Sequence, residues 1–226
     1  MNQEFHHQLY GQFARVGKAV SNGHRIALLD LLAQGERSVE ALARLAGLSL
    51  ANTSRHLQLL RGAGLVKARK QGQHVFYRLT NDLRIGQLLE TVQLLAQDAL
   101  AEVGLLMTRH LGADLRQGAI SAAELHDRLD EVTLLDLRPA EEFARGHVPT
   151  ARNLPLRELD RQLHEIPRAR PVVVYCRGTL SPPAFQAAQH LESKGFRVQR
   201  LARGFPEWRL AGLPIEVEDA MGAVLA

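Results

Sequence analysis

The sequence predicts two domains of different fold class, a mostly α-helical domain with one β-hairpin and then an α/β domain with a parallel sheet. Its length of 226 residues exceeds the usual size of one compact domain. Near residue 110 a series of helical patterns gives way to short β-branched runs that alternate with helices. The net charge changes there too, from +5 over residues 1–110 (13 basic, 8 acidic) to −1 over residues 111–226 (15 basic, 16 acidic). We therefore expect domains at 1–110 and 114–220.

The composition is that of a globular protein without a membrane span. Hydrophobic residues make up 46% and charged residues 23% of the chain, and no apolar run approaches the roughly 18 residues that cross a bilayer. The N-terminus lacks the basic start and apolar centre of a signal peptide. The single cysteine, Cys176, cannot form an intramolecular disulfide, so we expect a cytoplasmic protein that makes no contact with membranes.

Three short helices are predicted in the middle of the first domain. Apolar side chains at residues 26–32 have helical spacing and indicate a buried helix. Ser38 and Ser49 precede the next two helical patterns, where a serine hydroxyl can accept from free backbone amides. We expect these two helices to end near Ala46 and Arg61, because glycines follow there.

A β-hairpin and a long helix complete the first domain. Residues 65–69 and 75–79 have strand patterns, with Gly72 at the predicted tip between them. Residues 83–109 then predict one long amphipathic helix. So long a helix cannot bury its whole apolar stripe on a domain of this size, and we expect the surplus face to form a homodimer.

The second domain is predicted as strands that alternate with helices. Ser121 and Glu124 form a capping-box pattern at the start of its first helix. Another helix is predicted over residues 184–194, with Gly195 at its end. The predicted strands are 132–135, 172–175 and 197–201. Alternation at this spacing indicates a parallel sheet that helices cover on both faces.

Residues 41–81 contain seven basic side chains and no acidic one. The two short helices and the hairpin in this stretch predict a helix-turn-helix with a wing, and a surface without carboxylates favours phosphate binding. Polar side chains at the start of the second helix can reach base edges, while Leu57, Leu59 and Leu60 would face the core. The predicted contacts to double-stranded DNA are Ser49, Asn52, Thr53, Ser54, Arg55 and His56 on the helix and Lys67, Arg69, Lys70, Gln73 and Arg78 on the wing.

Residues 20–79 resemble the ArsR family of winged-helix transcriptional repressors, through SNGHRIALLDLLAQGERSVEALARLAGLSLANTSRHLQLLRGAGLV and the wing KARKQGQHVFYRL. The resemblance implies a homodimer, joined by the terminal helices, that binds a palindromic operator. Metal-sensing members often carry cysteines before the recognition helix, and this chain has none before Cys176. Asp98, Glu102 and His110 are spread too widely for a metal site, so we predict no metal and no cofactor.

Cys176 directly follows the predicted strand 172–175. In a parallel sheet, ligands bind at the loops that follow the carboxyl ends of the strands. Ser181 and Pro182 are expected to begin the next helix. The loop amides and the charge of Arg177 would then stabilise an anion and lower the pKa of the thiol. We expect a reactive thiolate, and a buried structural cysteine is the alternative.

Three segments, LLDLRPAEEFARGHVPTARNLPL, PVVVYCRGTLS and GFPEWRLAGLPIE, resemble the rhodanese domain of sulfurtransferases and fall within residues 120–217. The resemblance implies that Cys176 accepts sulfane sulfur from a small donor and holds it as a persulfide. The implied cradle for the sulfur and for the donor's anionic group comprises Arg177, Gly178, Thr179, Leu180 and Ser181, with Asp136 and Arg138 at its rim. His147 and Trp208 are interpreted as structural residues.

Departures from the rhodanese pattern limit the chemistry. The loop lacks the second basic residue of some thiosulfate-using members, which leaves the donor open. Ser181 stands where related fusions have a second cysteine, so a relay between two cysteines is excluded. Phosphatase-type relatives need an arginine six positions after the cysteine, and Pro182 occupies that position.

Together these features predict a DNA-binding transcriptional regulator in which sulfur chemistry at Cys176 is linked to gene control. One alternative is a sulfurtransferase, using thiosulfate or polysulfide, whose winged helix serves only for dimerisation or localisation. Another is a rhodanese fold that binds an anion without transferring sulfur.

Overall fold

The computed structural model describes residues 3–111, 118–178, 181–218 and 224–225. The chain forms two compact units, Met1–Gln93 and Leu94–Ala226. Residues 112–114 of the expected junction lie outside the described ranges, so the domain limits 1–110 and 114–220 stay a prediction. Within the described ranges, no helix has both the length and the apolar character needed to cross a membrane.

Helices form most of the first unit. They are α1 (Gln3–Val20), α2 (Gly23–Ala33), α3 (Val39–Ala46), α4 (Leu50–Gly62) and the first part of α5 (Asp82–Ala99). Ser38 and Ser49 cap α3 and α4 as predicted, because each hydroxyl accepts from a backbone amide in the first helical turn. Gly47 ends α3 with a left-handed φ of 65°, which glycine adopts at no steric cost. α1 has no counterpart among the sequence predictions.

A three-stranded antiparallel sheet completes the first unit. Its strands are β1 (Arg37–Ser38), β2 (Val66–Gln71) and β3 (His74–Leu79), in the order β1–β3–β2. β2 and β3 form the predicted hairpin, and Gly72 has the positive φ of 59° that its two-residue turn requires. The sheet and helices enclose a core of leucines that includes the fully buried Leu28, Leu57 and Leu60.

The prediction of a single helix over residues 83–109 is wrong. α5 ends at Ala99, and α6 (Ala101–Leu111) begins after an interruption at Leu100. The Leu100 carbonyl accepts from the amide of Val103, three residues on, instead of the fourth residue as in a regular α-helix. No proline or glycine marks this position in the sequence, which is why the break was not predicted.

The second unit contains a five-stranded parallel sheet in the order β4–β8–β7–β5–β6. Its strands are β4 (Ala119–Ile120), β5 (Thr133–Asp136), β6 (Arg152–Asn153), β7 (Val172–Tyr175) and β8 (Val198–Leu201). A further antiparallel pair consists of β9 (Val217–Glu218) and β10 (Val224–Leu225). The three predicted strands are confirmed to within a residue at each end, whereas β4 and β6 are two residues long and give no sequence pattern.

Helices cover both faces of this sheet, as predicted. They are α7 (Ala122–His126), α8 (Ala140–Ala144), α9 (Leu159–Gln162), α10 (Pro182–Ser193) and α11 (Phe205–Leu210), with short 3₁₀ turns at 129–131, 156–158 and 163–165. Alternate residues of β7 enter two different apolar clusters: Val172 and Val174 pack in one, Val173 and Tyr175 in the other. This arrangement makes β7 a central strand and places Cys176 at its carboxyl end.

Candidate functional sites

The outer face of α4 carries exposed polar side chains. Asn52, Arg55 and Gln58 recur at three-residue spacing and are exposed, together with Ala51 and Leu59. This spacing places them along one side of the helix. Asn52 and Arg55 were predicted as DNA contacts, while Gln58 was not, although its position three residues after Arg55 could have identified it.

Two predicted contacts on α4 do not reach this face. Thr53 is fully buried, and its hydroxyl donates to the Ser49 carbonyl at 3.0 Å, so the structure contradicts its prediction as a DNA contact. His56 is half-buried beside His24, with 5.6 Å between the ring centroids, and burial lowers its pKa. Leu59 is also misassigned by the sequence, because it is 50% exposed instead of buried. The exposed Ser49 and half-buried Ser54 lie at the start of the helix.

The wing presents basic side chains to solvent. Lys67 and Arg78 lie directly opposite each other in the β2–β3 register, and both are exposed. Lys70 and Gln73 are exposed nearer the turn. In the described part of the chain, none of these four side chains has a hydrogen-bond or ion-pair partner. Like charges that face each other across two strands repel, so an anion placed between them would be stabilised.

Arg69 differs from its neighbours because an acidic residue holds it. Its Nη2 lies 2.6 Å from Oε2 of Glu36, and its Nε donates to Oε1 at 3.2 Å. Strand β1 pairs with β3 and thereby brings Glu36 to the wing, while Glu40 on α3 lies 3.4 Å from His74. Residues 41–81 contain no acidic residue, but the fold places the carboxylates of Glu36 and Glu40 beside the wing.

In the second unit, Cys176 is the first residue of the loop between β7 and α10, residues 176–181, which we call the Cys176 loop. Cys176 is 4% exposed. Its carbonyl accepts from the amide of Phe205 at 3.1 Å. Burial raises the pKa of the Cys176 thiol, and this effect outweighs the hydrogen bond from Ser181 and the amide and charge of Arg177. The expectation of a lowered thiol pKa is thus corrected, because burial disfavours the thiolate more than the loop stabilises it.

The start of α10 differs from a typical capped helix. Ser181 occupies the N-cap position, but its hydroxyl makes no capping bond and interacts with Cys176 instead. Pro182 and Pro183 follow it and lack the N–H groups that a helix start normally offers to an anion. The Ser181 amide donates to the Gly178 carbonyl at 3.1 Å. The predicted cradle residues Thr179 and Leu180 lie outside the described residues.

A buried carboxylate holds Arg177. Glu142 on α8 is 2% exposed, and it accepts from Nε of Arg177 at 3.0 Å and from Nη2 at 2.7 Å. This bidentate geometry is the strong form of an arginine–carboxylate pair. The positive charge that the sequence placed beside the thiol is therefore largely balanced by Glu142, which was not among the predicted site residues.

Asp136 and Arg138 lie beneath the site and not at its rim. Both are fully buried, and Oδ2 of Asp136 accepts from Nη2 of Arg138 at 2.6 Å. The same Nη2 donates to the Gly146 carbonyl at 2.8 Å, and the guanidinium stacks 3.8 Å from the Phe205 ring centroid. Burial lowers the pKa of Arg138, but the hydrogen bonds and charge of Asp136 outweigh it, so that the net shift is upward. Their prediction as cradle residues is corrected, since both side chains are fully buried and are paired with each other instead of facing solvent.

The backbone of Gly204 lies close to that of Cys176 and Gly178. It has a positive φ of 79°, and a Cβ added there would lie 2.6 Å from the Cys176 carbonyl oxygen and 2.7 Å from the Gly178 amide. Glycine is therefore required on both conformational and steric grounds. The sequence reading missed this residue, although its place just after β8, at the ligand-binding edge of a parallel sheet, was a usable signal.

His147 and Trp208, which the sequence analysis interprets as structural residues, are both buried in this unit. The ring of His147 is 2% exposed, contacts the Phe143 carbonyl at 3.0 Å and pairs with Glu216 at 3.5 Å. Trp208 is fully buried and donates to the Pro214 carbonyl at 2.7 Å. Among the described residues, no three His, Cys, Asp or Glu side chains are grouped so that they could hold a metal ion.

Comparison with known proteins assigns both units. A family model of the rhodanese-like domain matches residues 121–211, and one of the helix-turn-helix domain matches residues 20–69. The chain is 44% identical over 216 residues to the HTH-type transcriptional regulator Rv0324 of Mycobacterium tuberculosis. This match covers 95% of this chain and 94% of that protein. It is 37% identical over 100 residues to a sulfurtransferase of Allochromatium vinosum, 42% of this chain and 92% of that one.

A solved structure is similar to the first unit. It is the homodimeric winged helix-turn-helix DNA-binding domain Mb0332 from Mycobacterium bovis, a possible ArsR-family regulator, at 43% identity and a TM-score of 0.40. The match covers 44% of this chain and 90% of that chain. On the full-length similarity to Rv0324 and the two domain matches, the chain belongs to the ArsR-type helix-turn-helix transcriptional regulators that carry a rhodanese-like domain.

Proposed function

We propose that this regulator binds an operator through α4 and the wing, and that sulfane sulfur carried by Cys176 changes its affinity for that operator. The observation that carries the proposal is the presence, in one chain, of two different features. The wing exposes Lys67, Lys70 and Arg78 without a partner among the described residues, and Cys176 lies at the ligand-binding edge of a parallel sheet. Each half of the proposal is supported by separate observations.

DNA binding is supported by the side chains that α4 leaves exposed. Asn52, Arg55 and Gln58 can donate to base edges in the major groove, and Arg55 has the planar fork that pairs with guanine. Lys67 and Lys70 on the wing would bind the flanking phosphates. Contacts of these two kinds give sequence specificity from the helix and salt-dependent affinity from the wing.

A homodimer is part of the proposal. Three aromatic side chains of α1, Phe5, Tyr10 and Phe13, are each more than half exposed although they are large and apolar. A second copy of the chain would cover them, and a two-fold dimer reads a palindromic operator. Light scattering of wild type and Phe13→Asp tests this point, with dimer expected for the first and monomer for the second.

The sulfur chemistry would proceed by thiolate attack. The Cys176 thiolate attacks the outer sulfur of a donor persulfide R–S–SH, a new S–S bond forms, and the donor's own S–S bond breaks with release of R–S⁻. Glu142 balances the charge of Arg177, and the two prolines remove helix amides, so the site offers little net positive charge. A singly charged persulfide or polysulfide therefore suits it better than dianionic thiosulfate.

Operator binding by wild type and Cys176→Ser, each with and without polysulfide at fixed salt, tests the coupling. We expect wild type to change affinity on sulfur loading and the variant to stay unchanged, because only a difference in affinity between two states can shift an equilibrium. Mass spectrometry of the same samples reports whether Cys176 gained a sulfur. Equal operator affinity of loaded and unloaded wild type would exclude the coupling. Absence of any protected operator would favour a sulfurtransferase whose winged helix only dimerises or localises it.

A further inference from the structure

A groove of about 390 Å³ lies in the first unit, where the end of α1, the start of α2 and the C-terminal half of α4 meet. The α4 residues in its wall include Gln58, Leu59 and Gly62, and all three are exposed. They follow Asn52 and Arg55 at intervals of three and four residues and so share one side of the helix with them. The groove therefore continues the outer face of α4 toward the end of that helix.

Three basic side chains line the groove, and none of its described lining residues is acidic. Lys18 is exposed, and its ammonium has no hydrogen-bond or ion-pair partner among the described residues. Nη2 of Arg15 donates to the Gly62 carbonyl at 3.2 Å, and Nη2 of Arg25 donates to the Lys18 carbonyl at 2.8 Å. These carbonyls are neutral, so the bonds fix the two guanidinium groups without cancelling their charge.

The two arginines also change the electrostatic character of the helix ends. Gly62 is the last residue of α4, and Lys18 lies in the last turn of α1. Carbonyls at such positions carry the negative end of a helix dipole and repel an anion. Because a guanidinium is bound to each of the two ends, the groove presents positive charge to solvent instead.

The groove lies on a different side of α1 from the aromatic side chains. At 3.6 residues per turn, Arg15 and Lys18 are about 160° and 140° around the helix axis from Phe13. A second copy of the chain that covers Phe13 would therefore leave these two basic side chains accessible. The groove and a homodimer can exist together.

The length of α4 indicates what the groove would meet on DNA. The helix has 13 residues and is about 20 Å long, whereas the major groove is about 12 Å wide. When the first residues of a recognition helix contact bases, a helix of this length extends past the groove to the flanking sugar–phosphate backbone. The end of α4 that would lie there is the end that Arg15, Lys18 and Arg25 surround.

We propose that this groove binds a backbone phosphate of DNA, with Lys18 as the direct contact and Arg15 and Arg25 as supporting charges. A phosphate brings the negative charge that the groove lacks, and its binding releases counterions. This contact depends on the proposed binding of DNA through α4. It extends the DNA-binding surface to α1, since Arg15 and Lys18 precede the matched helix-turn-helix residues 20–69.

Salt titration of DNA binding by the full-length protein tests the contact. A random-sequence duplex of about 30 base pairs, or three helical turns, is the probe, because phosphate contacts do not depend on sequence. Lys18→Gln should reduce the slope of log K against log salt concentration by about 0.9 for each protomer bound, and binding at about 0.1 M salt should weaken roughly eightfold per contact. Lys18→Arg keeps the charge and should retain the wild-type slope.

Lys194→Gln is the matched control, because it removes an exposed lysine from the second unit and should leave the slope unchanged. The proposal is overturned if Lys18→Gln keeps the wild-type slope, if Lys194→Gln lowers the slope equally, or if Lys18→Arg loses as much as Lys18→Gln. Arg55→Ala and Lys67→Gln separate this contact from the rest of the DNA-binding surface. If both weaken binding and Lys18→Gln does not, only the contact on α1 fails, whereas three unchanged affinities would also exclude binding through α4 and the wing.

Discussion

Glu142, buried on α8, holds the guanidinium of Arg177 in a bidentate ion pair directly beside the cysteine of the Cys176 loop. The pair means that the arginine next to the thiol does not act as a free positive charge. The thiol is also buried, and its pKa is raised instead of lowered. The Glu142–Arg177 ion pair and the burial of the thiol therefore both lower the reactivity of Cys176.

Removing the carboxylate should make Cys176 more reactive. In Glu142→Gln the charge of Arg177 is no longer balanced, so the pKa of the thiol falls and alkylation by iodoacetamide at pH 7 becomes faster. The loss of charge-assisted hydrogen bonds should also lower the free energy of unfolding by roughly 1.5–3 kcal/mol. Glu141→Gln, one residue away and exposed, is the matched control and should change neither quantity. A slower alkylation of Glu142→Gln would contradict the role given to the pair.

Ser181 should have the opposite effect on the thiol. Its hydroxyl stabilises the Cys176 thiolate, so Ser181→Ala should raise the thiol pKa further. Loss of one such hydrogen bond corresponds to roughly a 2–10-fold slower alkylation at a pH below that pKa. A pH–rate profile separates this shift from a change in access to the sulfur. Ser193→Ala, at the far end of α10, serves as the control, and an unchanged profile for Ser181→Ala would refute the prediction.

Alanine variants of Gly204 and Gly212 separate the cost of a left-handed backbone conformation from the cost of a steric clash. Both have positive φ values, 79° and 70°, but an added Cβ meets nothing within 4 Å at Gly212 and backbone atoms below 3 Å at Gly204. Gly212→Ala should therefore cost roughly 1–2 kcal/mol for conformation alone. Gly204→Ala should cost about 1–3 kcal/mol more and should change alkylation of Cys176, because the loop must move. If urea unfolding shows the same loss of free energy of unfolding for both variants, the close approach of Gly204 to Cys176 and Gly178 is ruled out.

Basic residues of the first unit should contribute unequally to operator binding. Arg55→Ala removes an exposed side chain from the outer face of α4 and should weaken specific binding about tenfold. Arg69→Ala should have a smaller effect, because Glu36 already pairs with Arg69. Arg157→Ala in the second unit removes an equally charged, exposed side chain and controls for net charge. Fluorescence anisotropy with operator DNA at fixed salt measures all three, and a larger loss for Arg69→Ala than for Arg55→Ala would reverse this order.

Glu207 should make stability depend on pH. Burial raises its pKa to about 8 in the folded protein against an ordinary value of 4.5, so the folded state holds a proton that the unfolded chain has released between these values. Its contribution to stability is complete below pH 4.5 and is lost as pH rises to about 8. Glu207→Gln should therefore be increasingly stabilised relative to wild type between pH 5 and pH 8, by a few kcal/mol in total. Parallel urea curves of Glu141→Gln report the background, and a constant difference between Glu207→Gln and wild type would contradict the raised pKa.

Sequence patterns predicted the regular elements and missed interactions between distant segments. The strand over 172–175 and the caps at Ser38 and Ser49 depend on local spacing, and they are confirmed. Burial of Thr53 could also have been predicted, because it lies four residues before Leu57 on the core side of α4.

The remaining differences depend on tertiary contacts. Glu36 reaches Arg69 only because the two-residue strand β1 pairs with β3, and a strand that short has no periodicity to detect. Glu142 reaches Arg177 across 35 residues of chain. The thiol pKa was misjudged for the same reason, since depth of burial is a property of the packed unit and not of the loop sequence.

Lys67 and Arg78 lower the stability of the wing when no DNA is bound. Two positive charges facing each other across a hairpin destabilise it by roughly 0.2–1 kcal/mol, and the hairpin also supports the core of the first unit. We therefore expect the free protein to melt at a higher temperature when one of the two charges is removed, and operator DNA to stabilise wild type more than that variant. The two charges would thus lower the folding stability of the unbound protein and raise its affinity for DNA, so that selection acts on both properties together.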